Sequence, residues 1–476
     1  MSLVLQPYAT YKDSGVPWLG EVPTSWDVLP AVAAYKPKLE RNTRLIEKIV
    51  LSLSYGRIVV KPEEKLHGLV PGSFETYQVV DPGDIIVRTT DLQNDKTSLR
   101  IGHSSHRGII TSAYMCLEAT DRISNEFGYQ FLNAHDLLKI IYGFGSGLRQ
   151  NLGFADIKRM PVLVPPKAEQ LAIVRFLSHA DRRISQFILA KQNLIKLLEE
   201  QELTIVNRTI TCGLDRSVRF KPSRVDWVSE MPEHWSATRL KFTASDIVDC
   251  LHATPVYSES GEYPAIRTAD IIPGKVLIES ARRVDQQHYL QWTQRLKPAA
   301  GDVLYTREGG RFGFAALVPS NVSLCISQRM MLFRIKDEHS PAYIMWQLNC
   351  QHVYAQAVAD LIGGAAPHVN VERIKNYWLL LPPRREQDQI VAAIERDTAA
   401  VSAAIQQAKR EIQLVREYRT RLIADVVTGK IDVREAAAKL PDVVDEPDEL
   451  LVDANLVSDN DEEQVADELV GEEAVT

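Results

Sequence analysis

The chain is poor in cysteine. Cys116, Cys212, Cys250, Cys325 and Cys350 are the five in 476 residues, and no two are spaced as CxxC. That scatter argues against a disulfide framework or a thiolate zinc site and points to a reducing compartment. No apolar run approaches the ~20 residues that a membrane span requires. The opening MSLVLQPYATYKDSG has neither the basic segment, the apolar run nor the small-residue cleavage site of a secretory signal. A cytoplasmic protein without a membrane segment is expected. Also missing are a GxxxxGK[ST] phosphate loop and a GxGxxG opening a helix after a strand. Neither Pro-Pro pair follows Asn, Asp or Ser or precedes an aromatic residue, so the tetrapeptide that positions an amino group for adenine methylation is absent. His103-Ser-Ser-His106 has the i, i+3 spacing of metal ligands but no acidic or Cys neighbour, and reads as a solvated loop. Gly309-Gly310-Arg311-Phe312-Gly313 lacks the Lys-Ser/Thr ending of a phosphate cradle and reads as a tight, backbone-exposing loop. No catalytic residue, metal or cofactor is expected in this chain.

What is present suggests two or three domains. The hydrophobic fraction, 45%, is enough for packed cores, and 25% of residues are charged. The net charge of −7 is unevenly spread: from Asp442 onward there are fourteen Asp or Glu residues and no Lys or Arg. Without that stretch the charge turns from −7 to +7, compatible with a phosphate-facing body. The acidic stretch itself carries too much like charge to pack and reads as a disordered tail.

The chain is written twice. Ser14-Gly-Val-Pro-Trp-Leu-Gly-Glu-Val-Pro-Thr-Ser-Trp26 aligns without a gap on Ser223-Arg-Val-Asp-Trp-Val-Ser-Glu-Met-Pro-Glu-His-Trp235, with six of thirteen positions identical. Pro165-Pro-Lys-Ala-Glu-Gln-Leu-Ala-Ile-Val174 aligns on Pro382-Pro-Arg-Arg-Glu-Gln-Asp-Gln-Ile-Val391, with six of ten identical at an offset of 217. Between these segments Pro82-Gly-Asp-Ile-Ile-Val87 resembles Ala300-Gly-Asp-Val-Leu-Tyr305, and after them Thr211-Cys-Gly-Leu-Asp215 resembles Thr428-Gly-Lys-Ile-Asp432. Four matches in the same order identify a duplication. Each copy has a Trp/Pro lead segment, a body of short strands and an extended apolar stretch (160–164; 377–381) running into Pro-Pro. Pro suits a helix's first turn, and Glu169 and Glu386 there oppose the exposed amide dipoles.

About forty residues after each Pro-Pro are helical by pattern, roughly 60 Å at 1.5 Å per residue. Their apolar stripes keep one register between the copies. Ile173, Leu177, Ile184, Ile188 and Ile195 correspond to Ile390, Ile394, Val401, Ile405 and Ile412. The stripe is expected to pack each helix on its twin, with packing on its own domain as the alternative. The charged flanks suit a coiled coil, and Gly213 and Gly429 end the helices. The fold class expected is mixed α/β (α+β): two strand-rich domains (1–165 and 214–382), two long antiparallel helices (166–213 and 383–430) with an internal pseudo-twofold repeat, and the acidic tail (431–476).

Two unlike bodies and two rods, without chemistry of their own, suggest two surfaces reading half-sites about 34 Å apart on duplex DNA. Candidate contacts are Arg88 and Arg307 at the ends of the strands opened by Gly-Asp, Arg107 beyond the His103–His106 loop, and Arg311 in the Gly-rich loop. Arg149, Gln150 and Asn151, with His368 and Asn370, occupy matching places before each Pro-Pro. Such side chains reach base edges or phosphates, although an ordinary salt bridge or loop hydrogen bond fits each equally well.

The segments SGVPWLGEVPTSW, VPPKAEQLAIV, TCGLD, LPPRREQDQIV and VVTGKID resemble the motifs that frame type I restriction–modification specificity subunits, over roughly residues 12–435. The second lead segment departs from that pattern at Asp226 and Ser229. The resemblance implies two target-recognition domains, each followed by a spacer helix, and an asymmetric bipartite duplex target. It also implies two methyltransferase subunits, which methylate adenine at N6, and two motor–nuclease subunits, which cleave. S-adenosylmethionine, ATP and magnesium would sit on those partners. The alternatives are a self-contained DNA-modifying or DNA-cleaving enzyme with an unfamiliar site and a coiled-coil scaffold with no DNA role.

Overall fold

In the computed structural model, residues 5–441 are described, apart from 18, 55, 63–72, 91, 93–97, 145–150, 216, 310, 362–367 and the side chain of residue 224. The acidic stretch from Asp442 and the candidates Arg149 and Gln150 lie outside the described residues. The fold is mixed α and β, and the chain divides into two compact units, 1–192 with 410–457 and 193–409 with 458–476. The sequence boundaries fall before each long helix, whereas this division falls within each one.

In the first unit Trp26 precedes β1 (Asp27–Pro30), which leads to β2 (Tyr35–Lys38), β3 (Ile85–Val87), β4 (Ile101–His103) and β5 (Met115–Ala119). Strands β2, β5, β3 and β4 lie side by side in that order, all antiparallel. Helix α1 (Asn125–Leu137) follows, capped where the Phe127 N–H donates to the Ser124 hydroxyl. Then β6 (Pro161–Val164) pairs back onto β1, and α2 (Lys167–Cys212) begins.

The second unit repeats this plan. Trp235 precedes β7 (Ser236–Arg239), followed by β8 (Ala244–Asp249), β9 (Tyr263–Ile266), α3 (Gln286–Trp292), β10 (Val303–Thr306), β11 (Ala315–Leu317) and β12 (Met330–Ile335). The order β8-β12-β10-β11 is again antiparallel throughout. Helix α4 (Pro341–Leu348), strand β13 (Trp378–Leu381) paired with β7, and α5 (Arg384–Val427) complete it.

The shared motifs hold each plan together by the same bonds. The buried Trp26 indole donates to Glu169 Oε1 at 3.0 Å, and Trp235 donates to Glu386 Oε1 at 3.1 Å. A buried indole N–H needs such a partner, and the carboxylate also faces the first-turn amides of the long helix. The next residue clamps the Pro-Pro. Gln170 donates to the Pro165 carbonyl at 2.8 Å and accepts the Ser124 N–H at 2.8 Å, while Gln387 donates to Pro382 at 2.9 Å and accepts Ser340 N–H at 2.8 Å. One glutamine therefore fixes the start of the long helix and the cap of the short one. The Gly-Asp pairs are turns closed from within. Gly83 and Gly301 have φ of +97° and +87°, a region where only glycine is unstrained. The buried Asp84 accepts the Asp81 N–H and Lys38 Nζ, and Asp302 accepts the Ala299 N–H and the Arg334 guanidinium.

Both long helices run unbroken, 46 residues in α2 and 44 in α5. In the first unit Asp181 pairs with Arg419 and Lys191 with Glu411, both at 2.6 Å. In the second unit Glu199 pairs with Lys409 at 3.6 Å, and Glu202 accepts the Ser402 hydroxyl at 2.6 Å. Within each unit, rising numbers on α2 meet falling numbers on α5, so the paired stretches are antiparallel. Ile173, Leu177, Ile184, Ile188, Ile390, Ile394, Val401, Ile405 and Ile412 are buried, and Ile195 is half-buried. The ends of the stripe serve the domain cores as well. Ile173 and Leu177 join Trp26 together with Leu422, Val426 and Val427 from α5, and Ile390 and Ile394 join Trp235 together with Val206 and Ile210 from α2. Packing on a domain and packing on the other helix thus coexist along one stripe.

Candidate nucleic-acid interface

The strand ends that follow the Gly-Asp turns meet the segments that precede each Pro-Pro. In the first unit the Leu152 N–H donates to the Thr89 carbonyl at 2.8 Å, which brings Asn151 beside the half-buried Arg88. In the second unit the Val369 N–H donates to the Arg307 carbonyl at 3.2 Å, and Glu308 and His368 form an antiparallel bridge. The correspondence between Arg88 with Asn151 and Arg307 with His368 is therefore a physical juxtaposition within each unit.

The candidates differ in how committed they are. Arg307 is 5% exposed. Its Nε donates to Asp249 Oδ1 at 3.1 Å, its Nη2 pairs with Glu308 Oε1 at 2.8 Å, and its Nη1 donates to the Val369 carbonyl at 3.4 Å. His252 lies at 3.5 Å from Nη2 and also pairs with Asp249 at 3.1 Å. A guanidinium engaged on every side ties three loops together and is not extended toward solvent, because two carboxylates compensate its burial. The half-buried Arg311 donates to the Ala269 carbonyl at 2.8 Å. Asn370 is the cap of a short helix, Val371–Lys375, and its side chain accepts the Glu372 N–H at 2.9 Å. Arg107 is exposed but flanked by Asp81 and by Glu47 at 3.3 Å, so its charge is locally compensated. His103 is half-buried, and burial lowers its pKa below the ordinary imidazole value. Its partner in the HSSH spacing, His106, is exposed.

Three features escape a reading of sequence alone. Gln170 and Gln387 are clamps visible only once Ser124 and Ser340 are brought to them. Arg100 is fully buried in the first unit, donating to the Thr90 carbonyl at 2.7 Å and the Tyr142 hydroxyl at 2.9 Å. Helix α3 presents a glutamine-rich face beside Leu251, between Asp249 and His252. Repeated Gln within one helical stretch was its only signal. Among the described residues no group of three or more His, Cys, Asp or Glu side chains is gathered as for a metal ion, and no helix is long and apolar enough to cross a membrane.

Residues 250–414 match the type I restriction modification DNA specificity domain family. The match covers most of the second unit's body and much of α5. The chain is 22% identical over 321 residues to the type I restriction enzyme EcoBI specificity subunit of Escherichia coli, covering 63% of this chain and 66% of that one, just under two thirds. A solved structure described as showing complex assembly and conformational transition of the type I R-M system is similar in fold, with a TM-score of 0.57 and 14% identity over 85% of this chain and 98% of that one.

Proposed function

We infer, from the premise that this chain belongs to the specificity subunits of type I restriction–modification systems, that it reads an asymmetric, two-part DNA sequence and directs partner subunits to it. Each unit reads one part of the target, and the two long helices, packed as a coiled coil, set the gap. Two methyltransferase subunits and, in the full complex, two motor–nuclease subunits supply catalysis. S-adenosylmethionine, ATP and magnesium belong to those partners, the chain itself is not catalytic, and the complex works in the cytoplasm.

One observation carries this reading: the two units repeat one scaffold bond for bond while their loops differ. Trp–Glu, Gln–Pro and Gly-Asp contacts recur at equivalent places. The second body carries the network around Arg307 and the helix α3. A duplicated frame with individual loops suits two different half-sites. Arg88, Asn151, Arg311 and His368 stand at the loop junctions and are the proposed contacts, with Arg307 positioning the loops of the second unit.

Mapping of methylated adenines across the genome, with and without this chain, tests the reading. A split motif with a fixed gap should disappear on deletion. Methylation that persists, or DNA cutting or methylation by the isolated chain, would overturn it.

A further inference from the structure

We propose that α3 is a base-reading helix of the second unit, with Gln287, Gln291 and Gln294 recognising an A·T pair in the major groove of duplex DNA. This rests on the DNA-reading role proposed above and names the element and the base that carry it.

The helix is anchored from behind. Tyr289, buried at 5% exposure, stacks on Tyr263 of β9 with ring centres 4.1 Å apart and planes 11° from parallel. The Thr293 hydroxyl, also buried, donates to the Tyr289 carbonyl at 2.8 Å. Asp285 caps the first turn, accepting the His288 N–H at 2.8 Å. The back of α3 is therefore fixed to the sheet by aromatic stacking and a satisfied cap.

The front is built differently. Gln287 and Gln291 stand at i and i+4 on one face of the helix, and Gln294 follows two residues beyond its last turn, lining the same concavity. All three are exposed, and Leu290, 58% exposed, lies beside them. Among the described residues none of these amide side chains has a hydrogen-bond partner. A surface helix carries charged or polar residues on its solvent face. This one presents neutral amides, each offering a donor and an acceptor, with one apolar neighbour. Glutamine pairs bidentately with adenine N6 and N7 in the major groove, and an aliphatic side chain meets the thymine methyl. The flanks carry the phosphate-directed charge. Arg282, Arg283, Arg295 and Lys297 bracket the helix, and Arg295 is held against the Asp249 and Cys250 carbonyls at 3.0 and 3.1 Å. Leu251, which shares the concavity with the glutamines, sits between the two residues that hold Arg307. The concavity thus opens beside the loop junction already assigned to DNA.

The test uses the complete complex with its methyltransferase subunits and reads methylated sites genome-wide and on oligonucleotide duplexes. Wild type should give a split motif; its absence would overturn the DNA-reading role itself. Given that motif, Gln291→Ala or the triple change of Gln287, Gln291 and Gln294 to Ala should relax discrimination at an A·T position in one half only, by about tenfold to a hundredfold. Gln291→Glu keeps the size and loses the donor, so it should move preference at that position toward cytosine. Lys297→Ala should slow methylation equally on all sequences and flatten its salt dependence by about one unit of slope. An unchanged motif in the triple variant at wild-type rate, or relaxation in both halves, would overturn the assignment to α3.

Discussion

The two units share a frame and differ in what the frame holds. Trp26 and Trp235, Glu169 and Glu386, Gln170 and Gln387, Asp84 and Asp302 make equivalent bonds. Around those fixed points the chemistry diverges. The partner of Asp84 is a lysine and that of Asp302 an arginine. The arginine ending the Gly-Asp strand is half-buried in the first unit and locked between two carboxylates in the second. Residues that must satisfy a buried donor or start a helix have few substitutes and stay the same between copies. Loops that face a ligand are released from that constraint. Repetition marks the scaffold, and departure from it marks the proposed reading surface.

The comparison breaks most readily at the tryptophans. Trp26→Ala should cost the first unit about 3–5 kcal/mol, and Trp235→Ala the same in the second. Hydrogen exchange should show each loss confined to its own unit; equal loosening of both would make the units one cooperative body. Next in size is Arg307→Ala, expected to cost about 3 kcal/mol because Asp249 and Glu308 are left uncompensated. Arg88→Ala should cost well under half as much in the same denaturation assay. If the two changes are equal, the second unit's network is not the difference it looks to be.

Acidification loads both units through buried histidines. Burial pushes the His352 imidazole of the second unit down to about 4, so it stays neutral in the fold while the unfolded chain takes up a proton below about 6.5. Stability of this unit is therefore full above that value and falls as the pH drops from about 6.5 toward 4. Denaturation of His352→Gln across that window should show one proton's less dependence; an identical slope would refute it. The first unit has the same direction of shift at His103 and His135. The smallest effect is expected at Lys191–Glu411, a partly exposed pair whose removal should cost about 0.5 kcal/mol.

The duplication, the long helices and the mixed fold were legible because they rest on local signals: Pro-Pro with Glu in the first turn, an apolar row at a constant offset, a Gly-Asp turn. Much of the candidate site was not. The partner of Arg307, Asp249, lies 58 residues away, so the sequence leaves open a choice between salt bridge and DNA contact, and the fold engages this arginine in an ion pair. Asn370 before Val371–Lys375 carried a helix-cap signal that competed with its reading as a DNA contact. Nothing local pairs Gln6 with Asp432 or sets Gly429 against Pro23 and Trp26, yet these contacts close the first unit.

That closure has a consequence for birth on the ribosome. The core around Trp26 requires Leu422, Val426, Val427 and Val433, so the segment around Trp26 waits for one translated about four hundred residues later. The core around Trp235 draws its buried residues from Val206 to Ile394, so it is finished earlier and consolidates first, against the usual vectorial order. Until synthesis passes Val433, the amino-terminal half emerges with an open apolar flank that nascent-chain chaperones must shield.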